Sequence, residues 1–355
     1  MIRPCVIGLG YVGLPFLVKL SKKYKTIGYD NNKDRILKLN KFIDTFKEYS
    51  KKTLKNKNLK YSNNFNDIKD SNFYIVAVPT PIYRNKKPNL SYLTSVSKLL
   101  SKVLSKGDIV FFESTVYPGV TENICKKIIE KKSSLLEGRD FFLGYSPERV
   151  NPGDKKHSLK KIEKIIAYPH NFRLKEVTKL YNYVSKKIIL TKDIKEAETA
   201  KVIENIQRDV NIGLINEIYI VCKKLNINFN NVIKLASTKW NFIKYKPGLV
   251  GGHCLPVDPY YLSYISKQKK FKTNVILAGR SINDSISVYL KNELIKKLKK
   301  DKFKKKKILF CGLTYKENVS DLRNSLSLKI YREIKKKFPY INGYDPTLTN
   351  IVAKK

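Results

Sequence analysis

Cysteine is scarce and scattered. Five occur in 355 residues, Cys5, Cys125, Cys222, Cys254 and Cys311, with no CxxC pair. An odd, dispersed set argues against a disulfide framework and against a cysteine-built zinc site, so no metal is expected. Long apolar runs are missing too: none approaches the ~18 residues of a membrane-spanning helix. The N-terminus, MIRPCVIGLGYVG, lacks the basic region, apolar core and small-residue cleavage site of a secretory signal. A cytoplasmic protein with no membrane partner is expected. Acidic residues are also few, 30 against 72 Lys and Arg, for a formal charge of +42. Focused into a patch, such charge would draw nucleic acid or acidic membranes. Here lysines occur in nearly every segment, so they read as solvated faces, without a specific nucleic-acid partner and with a general attraction for anionic small molecules.

What is present is enough to fold: 42 % hydrophobic and 11 % aromatic residues, over a length that suits two or three domains. Cys5 to Leu9 reads as a short strand running into Gly8-Leu9-Gly10-Tyr11-Val12-Gly13, followed by a helical pattern from Leu14 to Lys23 and a strand Thr26 to Tyr29 that ends at Asp30. Strand, GxGxxG, helix, strand and terminal acid is the dinucleotide-binding pattern. The glycines admit a pyrophosphate at the helix N-terminus, and Asp30 suits ribose hydroxyls, which favours NAD over NADP. Arg35 lies five residues on and either meets the adenosine phosphate or is a solvated helix residue. Further strands are expected at Phe73 to Val78, Asp108 to Phe112, Phe141 to Leu143 and Ile162 to Ala167, with a helix from Lys87 to Leu104. Their polar tips would share one sheet edge, where doubly wound sheets bind ligands.

Residues 194 to 225 hold helical periodicity with no proline and one glycine, Gly213. At 1.5 Å per residue this is a ~45 Å helix, of the kind that joins domains or carries a dimer interface. Lys201, Asn205 and Arg208 share a face at i, i+4, i+7 spacing. Next comes YKPGLVGGHCLPVDPYYL, residues 245 to 262, read as a rigid loop presenting the Cys254 thiol and the Asp258 carboxylate. Its prolines stiffen it, and its glycines allow close approach of something bulky. A thiol and a carboxylate held this way suit covalent catalysis; the plain alternative is a stiff turn around a buried cysteine. A helical pattern follows at Asn274 to Lys297. After a lysine-rich run to Lys307, a second strand-turn-helix-strand runs over Ile308 to Leu313, Ser325 to Lys337 and Tyr340 to Asp345.

These residues resemble the UDP-glucose/GDP-mannose dehydrogenase family over essentially the whole chain. The likeness rests on GLGYVGLP at 8–15, VAVPTPI at 76–82, ESTVYPGVTE at 113–122, YSPERVNPGD at 145–154, Lys201 with Asn205, GGHCLPVDPYYL at 251–262, GRSIND at 279–284 and GLTYKENVSDLRNS at 312–325. PGLVGGHC together with KWNF at 239–242 is most similar to the UDP-N-acetylhexosamine (GlcNAc or GalNAc) 6-dehydrogenases of surface-polysaccharide synthesis. The implied fold is α/β: an N-terminal Rossmann-like NAD domain (1–190), a central all-helical domain with one long helix for dimerisation and catalysis (191–300), and a partial C-terminal Rossmann-like UDP-binding domain (301–355).

The resemblance implies NAD-dependent four-electron oxidation of a sugar C6 alcohol to the carboxylate by way of a thiohemiacetal and a thioester. Cys254 matches the nucleophile. Lys201 and Asn205 match the residues that stabilise the alkoxide and oxyanion, Asp258 the carboxylate that orients or activates water, Glu148 the glutamate proposed as base of thioester hydrolysis, and Thr115 the holder of catalytic water. Cofactor contacts would come from Gly8, Gly10, Tyr11, Val12, Gly13, Asp30, Arg35, Val78, Pro79, Thr80, Ser114, Thr115, Glu148 and Arg323. Nucleotide-sugar contacts would come from Arg149, Asn151, Lys201, Asn205, Arg208, Tyr245, Gly251, Arg280, Tyr315 and Lys316, with Arg280 or a neighbouring arginine reaching across a homodimer. Two features depart from the pattern. Pro152 stands where some members carry a second glutamate, and the residues after Lys307 suffice for one βαβ unit of roughly 30 residues, which suggests a truncated last domain with an exposed sheet edge. The alternatives are UDP-glucose or GDP-mannose as substrate, or a catalytically silent paralogue that binds polyanions.

Overall fold

The computed structural model describes residues 2–46, 48–150, 159–300 and 307–348. Asn151 and Pro152 lie outside the described residues. The chain divides into two compact units, Met1–Val202 and Ile203–Lys355, and the division falls inside one long helix.

The first unit runs β1 (Pro4–Ile7), α1 (Gly13–Ser21), β2 (Thr26–Tyr29), α2 (Lys33–Asn40), α3 (Lys51–Leu54), β3 (Leu59–Ser62), β4 (Phe73–Val76), α4 (Ser91–Leu100), β5 (Asp108–Phe112), α5 (Lys127–Ser133), β6 (Phe141–Tyr145), β7 (Glu163–Ala167), α6 (Leu174–Val184), β8 (Lys187–Thr191) and the first turns of α7 (Ile194–Lys224). The strands form one sheet in the order β3-β2-β1-β4-β5-β6-β7-β8. All neighbours are parallel except β6 and β7. Strands β1, β4, β5 and β6 are buried throughout, as expected of parallel strands covered on both faces, and this is why they read as unbroken apolar runs. Their core is aromatic: Phe111 lies 5.6 Å from Phe73 and 4.9 Å from Tyr181, centroid to centroid. Gly144 in β6 makes room for it, since a Cβ there would stand 2.3 Å from the Phe111 ring.

The second unit holds the rest of α7, then α8 (Phe229–Ala236), α9 (Asp258–Gln268), α10 (Asn274–Lys300), β9 (Ile308–Cys311), α11 (Leu326–Lys337) and β10 (Ile341–Tyr344). Strands β9 and β10 pair in parallel. Helix α11 covers one face of the pair through Leu328, Tyr331 and Ile334, and the same cluster takes in Ile295 of α10. Helix α9 corrects the sequence reading of 245–262 as a loop throughout: from Asp258 onward the segment is helical. Pro259 favours this, because a proline in the first turn of a helix gives up an N–H that has no intrahelical partner.

Helices α7 and α10 cross at two glycines. A Cβ on Gly213 would lie 2.8 Å from the Gly279 carbonyl oxygen, and one on Gly279 would lie 3.0 Å from Cα of Val210. Both obstacles are backbone, so relief requires the helices to part. In an open helix Gly213→Ala would gain about 1 kcal/mol. Here overpacking reverses the sign, and Gly213→Val should lower unfolding stability by about 1–3 kcal/mol, read as a drop in urea midpoint at unchanged slope.

Candidate functional site

The turn after β1 is built as the glycine pattern requires. Gly8 has φ +92°, and a Cβ there would stand 2.6 Å from the Ala77 carbonyl oxygen. A Cβ on Gly13 would stand 1.8 Å from the Gly8 carbonyl oxygen, so α1 can begin against the strand only with glycine. Gly10 faces open space, with nothing within 4 Å of where its Cβ would be. The Asp30 carboxylate, at the end of β2, accepts from the N–H of Leu9 at 2.8 Å and of Asn32 at 2.9 Å. Ser114 at the β5 tip donates to the Val78 carbonyl at 2.7 Å, joining two of the expected cofactor loops. Pro79 is exposed, and Thr80 and Thr115 are half-buried. An open middle glycine, a helix N-terminus and a terminal acid fit the pyrophosphate and ribose of NAD.

Arg35 is not the solvated residue offered as one alternative. Only 7 % exposed, it donates to the Leu9 carbonyl at 3.0 Å and to Asp44 at 2.9 Å, and its guanidinium lies 4.6 Å from the Phe46 ring centroid. Phe46 in turn stacks on Tyr11 at 4.0 Å. Asp44 and Phe46 were not singled out from sequence, since one acid and one aromatic in an irregular stretch carry no pattern.

In the second unit the Cys254 turn leads into α9. The Cys254 carbonyl accepts the N–H groups of Val257 and Asp258, each at 2.9 Å. Cys254 is exposed, whereas Asp258 is 2 % exposed and accepts from the Asn205 amide at 2.5 Å. Three of the expected catalytic residues are thus brought together within one unit. At Gly251 and Gly252 the bulky groups that approach closely include the chain's own residues. A Cβ on Gly251 would meet the Asn324 carbonyl oxygen at 2.6 Å, and one on Gly252, at φ +87°, would meet the Tyr315 ring at 2.7 Å. Asn324 also donates to the Gly252 carbonyl at 3.1 Å, and His253 packs edge-on to Tyr315. The loop carrying Tyr315, Lys316 and Arg323 therefore forms a wall against the thiol turn. Arg323 grips Asp321, with its Nη2 at 2.6 Å, while burial foremost and then Arg323 push the His253 imidazole below its usual range.

The polar stripe of α7 differs from the expected one. Glu198, Lys201 and Asp209 are buried and Asn205 is half-buried, but Arg208 is exposed. Glu198 caps the backbone N–H groups of Gly119 and Thr121, the latter at 3.0 Å, and burial pushes its carboxyl up to about 7. Arg280, expected among the substrate contacts, is fully enclosed in its own unit, paired with Asp209 and with Asp284 at 3.2 Å. Tyr245 donates to Gln207 at 3.3 Å, and Arg149 donates to the Glu163 carbonyl at 3.3 Å.

Glu148, expected as a base, is engaged at both oxygens. Oε1 accepts the N–H groups of Arg149 and Val150 at 2.7 and 2.5 Å, and Oε2 accepts from Lys164 at 3.2 Å. Lys164 is fully buried and also bonds Glu113 at 2.5 Å, whose other oxygen accepts from Tyr181 at 2.8 Å. One buried cation serves two buried carboxylates. Burial and then the attraction of Lys164 set the Glu113 carboxyl, with burial dominant, at about 7. An acid raised from 4.5 to about 7 favours the folded state at low pH and loses that advantage as pH rises toward 7. Wild-type stability should therefore fall between about pH 4.5 and 7 relative to Glu113→Gln in urea titrations. Lys164→Met, which strands a buried charge, should cost about 3–5 kcal/mol in the same assay.

The family models match in chain order: UDP-glucose/GDP-mannose dehydrogenase family, NAD binding domain, over residues 2–185; central domain, over 195–285; and UDP binding domain, over 309–355. The chain is 45 % identical to Protein CapL of Staphylococcus aureus, covering 99 % of this chain and 82 % of that protein. It is 43 % identical to the UDP-N-acetyl-D-glucosamine 6-dehydrogenase of Pseudomonas aeruginosa, covering 97 % and 83 %. Among solved structures, the UDP-N-acetylmannosamine dehydrogenase of Pyrococcus horikoshii superposes with a TM-score of 0.88 at 33 % identity, covering 99 % and 86 %. Three models of one family, in order and spanning nearly the whole length, show that the chain belongs to the UDP-glucose/GDP-mannose dehydrogenase family.

Proposed function

We propose that the protein is an NAD-dependent nucleotide-sugar 6-dehydrogenase acting on UDP-N-acetylglucosamine and forming the corresponding uronate for surface-polysaccharide synthesis. The observation that carries this reading is the exposed Cys254 at the head of α9, next to Asp258 held by Asn205. The choice of sugar rests on identity: 43 % and 42 % to two UDP-N-acetyl-D-glucosamine 6-dehydrogenases against 34 % to a UDP-N-acetyl-D-mannosamine dehydrogenase.

The Gly8–Gly13 turn and Asp30 would hold NAD, and two NAD molecules bound in turn would each accept one hydride. Gly10 leaves the approach to the α1 N-terminus open, and Val78, Pro79, Thr80 and Ser114 border the same sheet edge. The thiol of Cys254 adds to the C6 aldehyde: a C–S bond forms and the carbonyl oxygen becomes a hydroxyl, stabilised by Lys201 and Asn205. Oxidation of this thiohemiacetal leaves a thioester on Cys254. Water then attacks the acyl carbon, the C–S bond breaks, and sulfur is released with a proton. Asp258 orients that water. Its carboxylate is fixed by Asn205 at one oxygen, so its direction does not depend on substrate. Glu148, with both oxygens engaged, holds the loop at Arg149 and Val150 in place and acts as a base only if Lys164 releases it. Tyr315, Lys316, Arg149, Arg208 and Tyr245 are assigned to the nucleotide sugar, Asn151 with them by resemblance, and Arg323 to the cofactor side.

The partner is a second copy of the chain. Leu214 and Ile243 are 53 and 67 % exposed and line a groove of about 360 Å³ together with Ile218 and Phe242; Trp240, next in sequence to the lining residues Lys239 and Asn241, is 92 % exposed. Such an apolar face is uncommon on a lone soluble chain. The cytoplasm, where NAD and nucleotide sugars are made, is the assigned location.

Purified protein given NAD and a panel of UDP-N-acetylglucosamine, UDP-N-acetylmannosamine, UDP-glucose and GDP-mannose should form two NADH per uronate, fastest with the first. Cys254→Ala should lower uronate formation on the order of 10³-fold or more. Full activity in that variant would sink the thioester route, and no turnover with any sugar would sink the assignment. By sedimentation the protein should run as a dimer that Leu214→Glu splits; a monomeric wild type would refute the partner.

A further inference from the structure

Four polar side chains are buried where α7 meets α10, and the chemistry above uses none of them. Asp209 and Asn216 come from α7, Arg280 and Asn283 from α10, and all four are 0 % exposed. They form one chain of contacts. Arg280 pairs with Asp209. Asn283 donates to the Asp209 carboxylate at 2.9 Å and to its backbone carbonyl at 2.7 Å. Asn216 donates to Asn283 at 2.8 Å. Burial foremost, partly offset by Arg280, raises the Asp209 carboxyl to about 6.

What this chain of contacts holds at its two ends is the thiol segment. At one end Asn216 makes a reciprocal pair with Gly248: its amide donates to the Gly248 carbonyl at 3.0 Å and its oxygen accepts the Gly248 N–H at 2.9 Å. At the other end the Arg280 guanidinium donates to the carbonyl of Leu255, the residue after Cys254, at 3.4 Å. Between these two anchors the turn touches the Tyr315 and Asn324 wall. Apolar side chains of similar volume would stabilise such a crossing as well as or better than a buried ion pair, so stability alone does not call for this network. Apolar side chains, however, cannot bind the backbone of an irregular segment, whose N–H and C=O groups need partners once buried.

We infer that Asn216, Asn283, Asp209 and Arg280 act as positioning residues for the Cys254 turn, pinning it at Gly248 and Leu255 so that an exposed thiol keeps a fixed place. This rests on the proposed role of Cys254, and its test is separable from that role. The close crossing at Gly213 and Gly279 is what lets side chains as short as Asn and Asp span from helix to helix.

The variants are Asn216→Ala, which frees the Gly248 end, and Arg280→Lys, which keeps a cation for Asp209 but shortens the reach to Leu255. Leu180→Ala, in the core of the first unit, is the control that lowers stability without touching the turn. Hydrogen exchange of the peptide spanning 248–257 should speed up about tenfold or more in both variants while α11 is unchanged. The kcat should fall about ten- to a hundredfold with the KM for NAD unmoved, because a displacement of about 1 Å costs that much. Leu180→Ala should lower the melting temperature with neither effect. Exchange and kcat within twofold of wild type, or changes matched by Leu180→Ala, would overturn the inference. Should one variant fail to fold, the other decides by the same readouts. If no nucleotide sugar is turned over by wild type, the functional reading fails, and exchange at 248–257 still decides whether the network holds the turn.

Discussion

The pair between Arg280 and Asp209 is the constraint on which the second unit depends. A buried ion pair gains little by itself, because desolvation offsets most of its Coulomb attraction. Part of the remaining capacity offsets that cost: Asn283 donates to Asp209, and Arg280 meets Asp284 and the Leu255 carbonyl, while Asp209 Oδ2 and Arg280 Nε make no hydrogen bond among the described residues. Two glycines bring the helix backbones close enough for these short side chains to meet. The turn bearing Cys254 is then fixed from three directions, by α7, by α10 and by the loop of the β9–α11 module. A thiol that must receive an aldehyde and later release an acid needs exposure and a defined position together. Placing fixing groups on the backbone around it, at Gly248, Gly252 and Leu255, meets both needs.

The two units repeat one local solution. In the first, the N–H of Gly8 bonds the Tyr29 carbonyl and the carboxylate of Asp30 accepts the N–H of Leu9. In the second, the N–H of Gly312 bonds the Tyr344 carbonyl and the carboxylate of Asp345 accepts the N–H of Leu313 and Thr314 at 2.8 and 3.0 Å. Gly8 and Gly312 both have positive φ, +92° and +86°. In each case an acid at the end of the second strand gathers the first free N–H groups after the first strand, which shapes the turn before any ligand arrives. At Asp345 burial works against the ionised carboxylate, yet the donors, Thr347 among them, hold it well below its usual range.

Legibility followed pattern length. The strand Thr26–Tyr29, the strand Asp108–Phe112 and nearly all of α7 and α10 are where periodicity put them, because apolar runs and helical repeats are local properties. Edge strands β3 and β8 escaped notice: LKYS and KIILT alternate weakly and are partly exposed, so neither composition nor period marks them. The start of α9 was hidden by prolines that suggested a loop, although a proline belongs in a first helical turn. On α7 the inward-facing residue after Asn205 is one that spacing did not mark. Spacing pointed to Arg208, while packing turned Asp209 inward, and a shift of one residue on a helix is a rotation of about 100°.

By itself the sequence determined the chemistry-bearing types and their local settings: a glycine turn closed by Asp30, a thiol at Cys254 in a stiff turn, a carboxylate four residues on, and Lys201 with Asn205 one turn apart. These follow from backbone sterics and short-range spacing, which need no knowledge of the rest of the chain. Only the tertiary structure decided that Arg280 and Arg35 are internal struts, that Glu148 shares Lys164 with Glu113, and that Gly251 and Gly252 make room for Asn324 and Tyr315. A charged side chain reads the same in sequence whether it faces water or a partner dozens of residues away. Which of the two it meets is set by the desolvation and packing of elements that come together only in the folded chain.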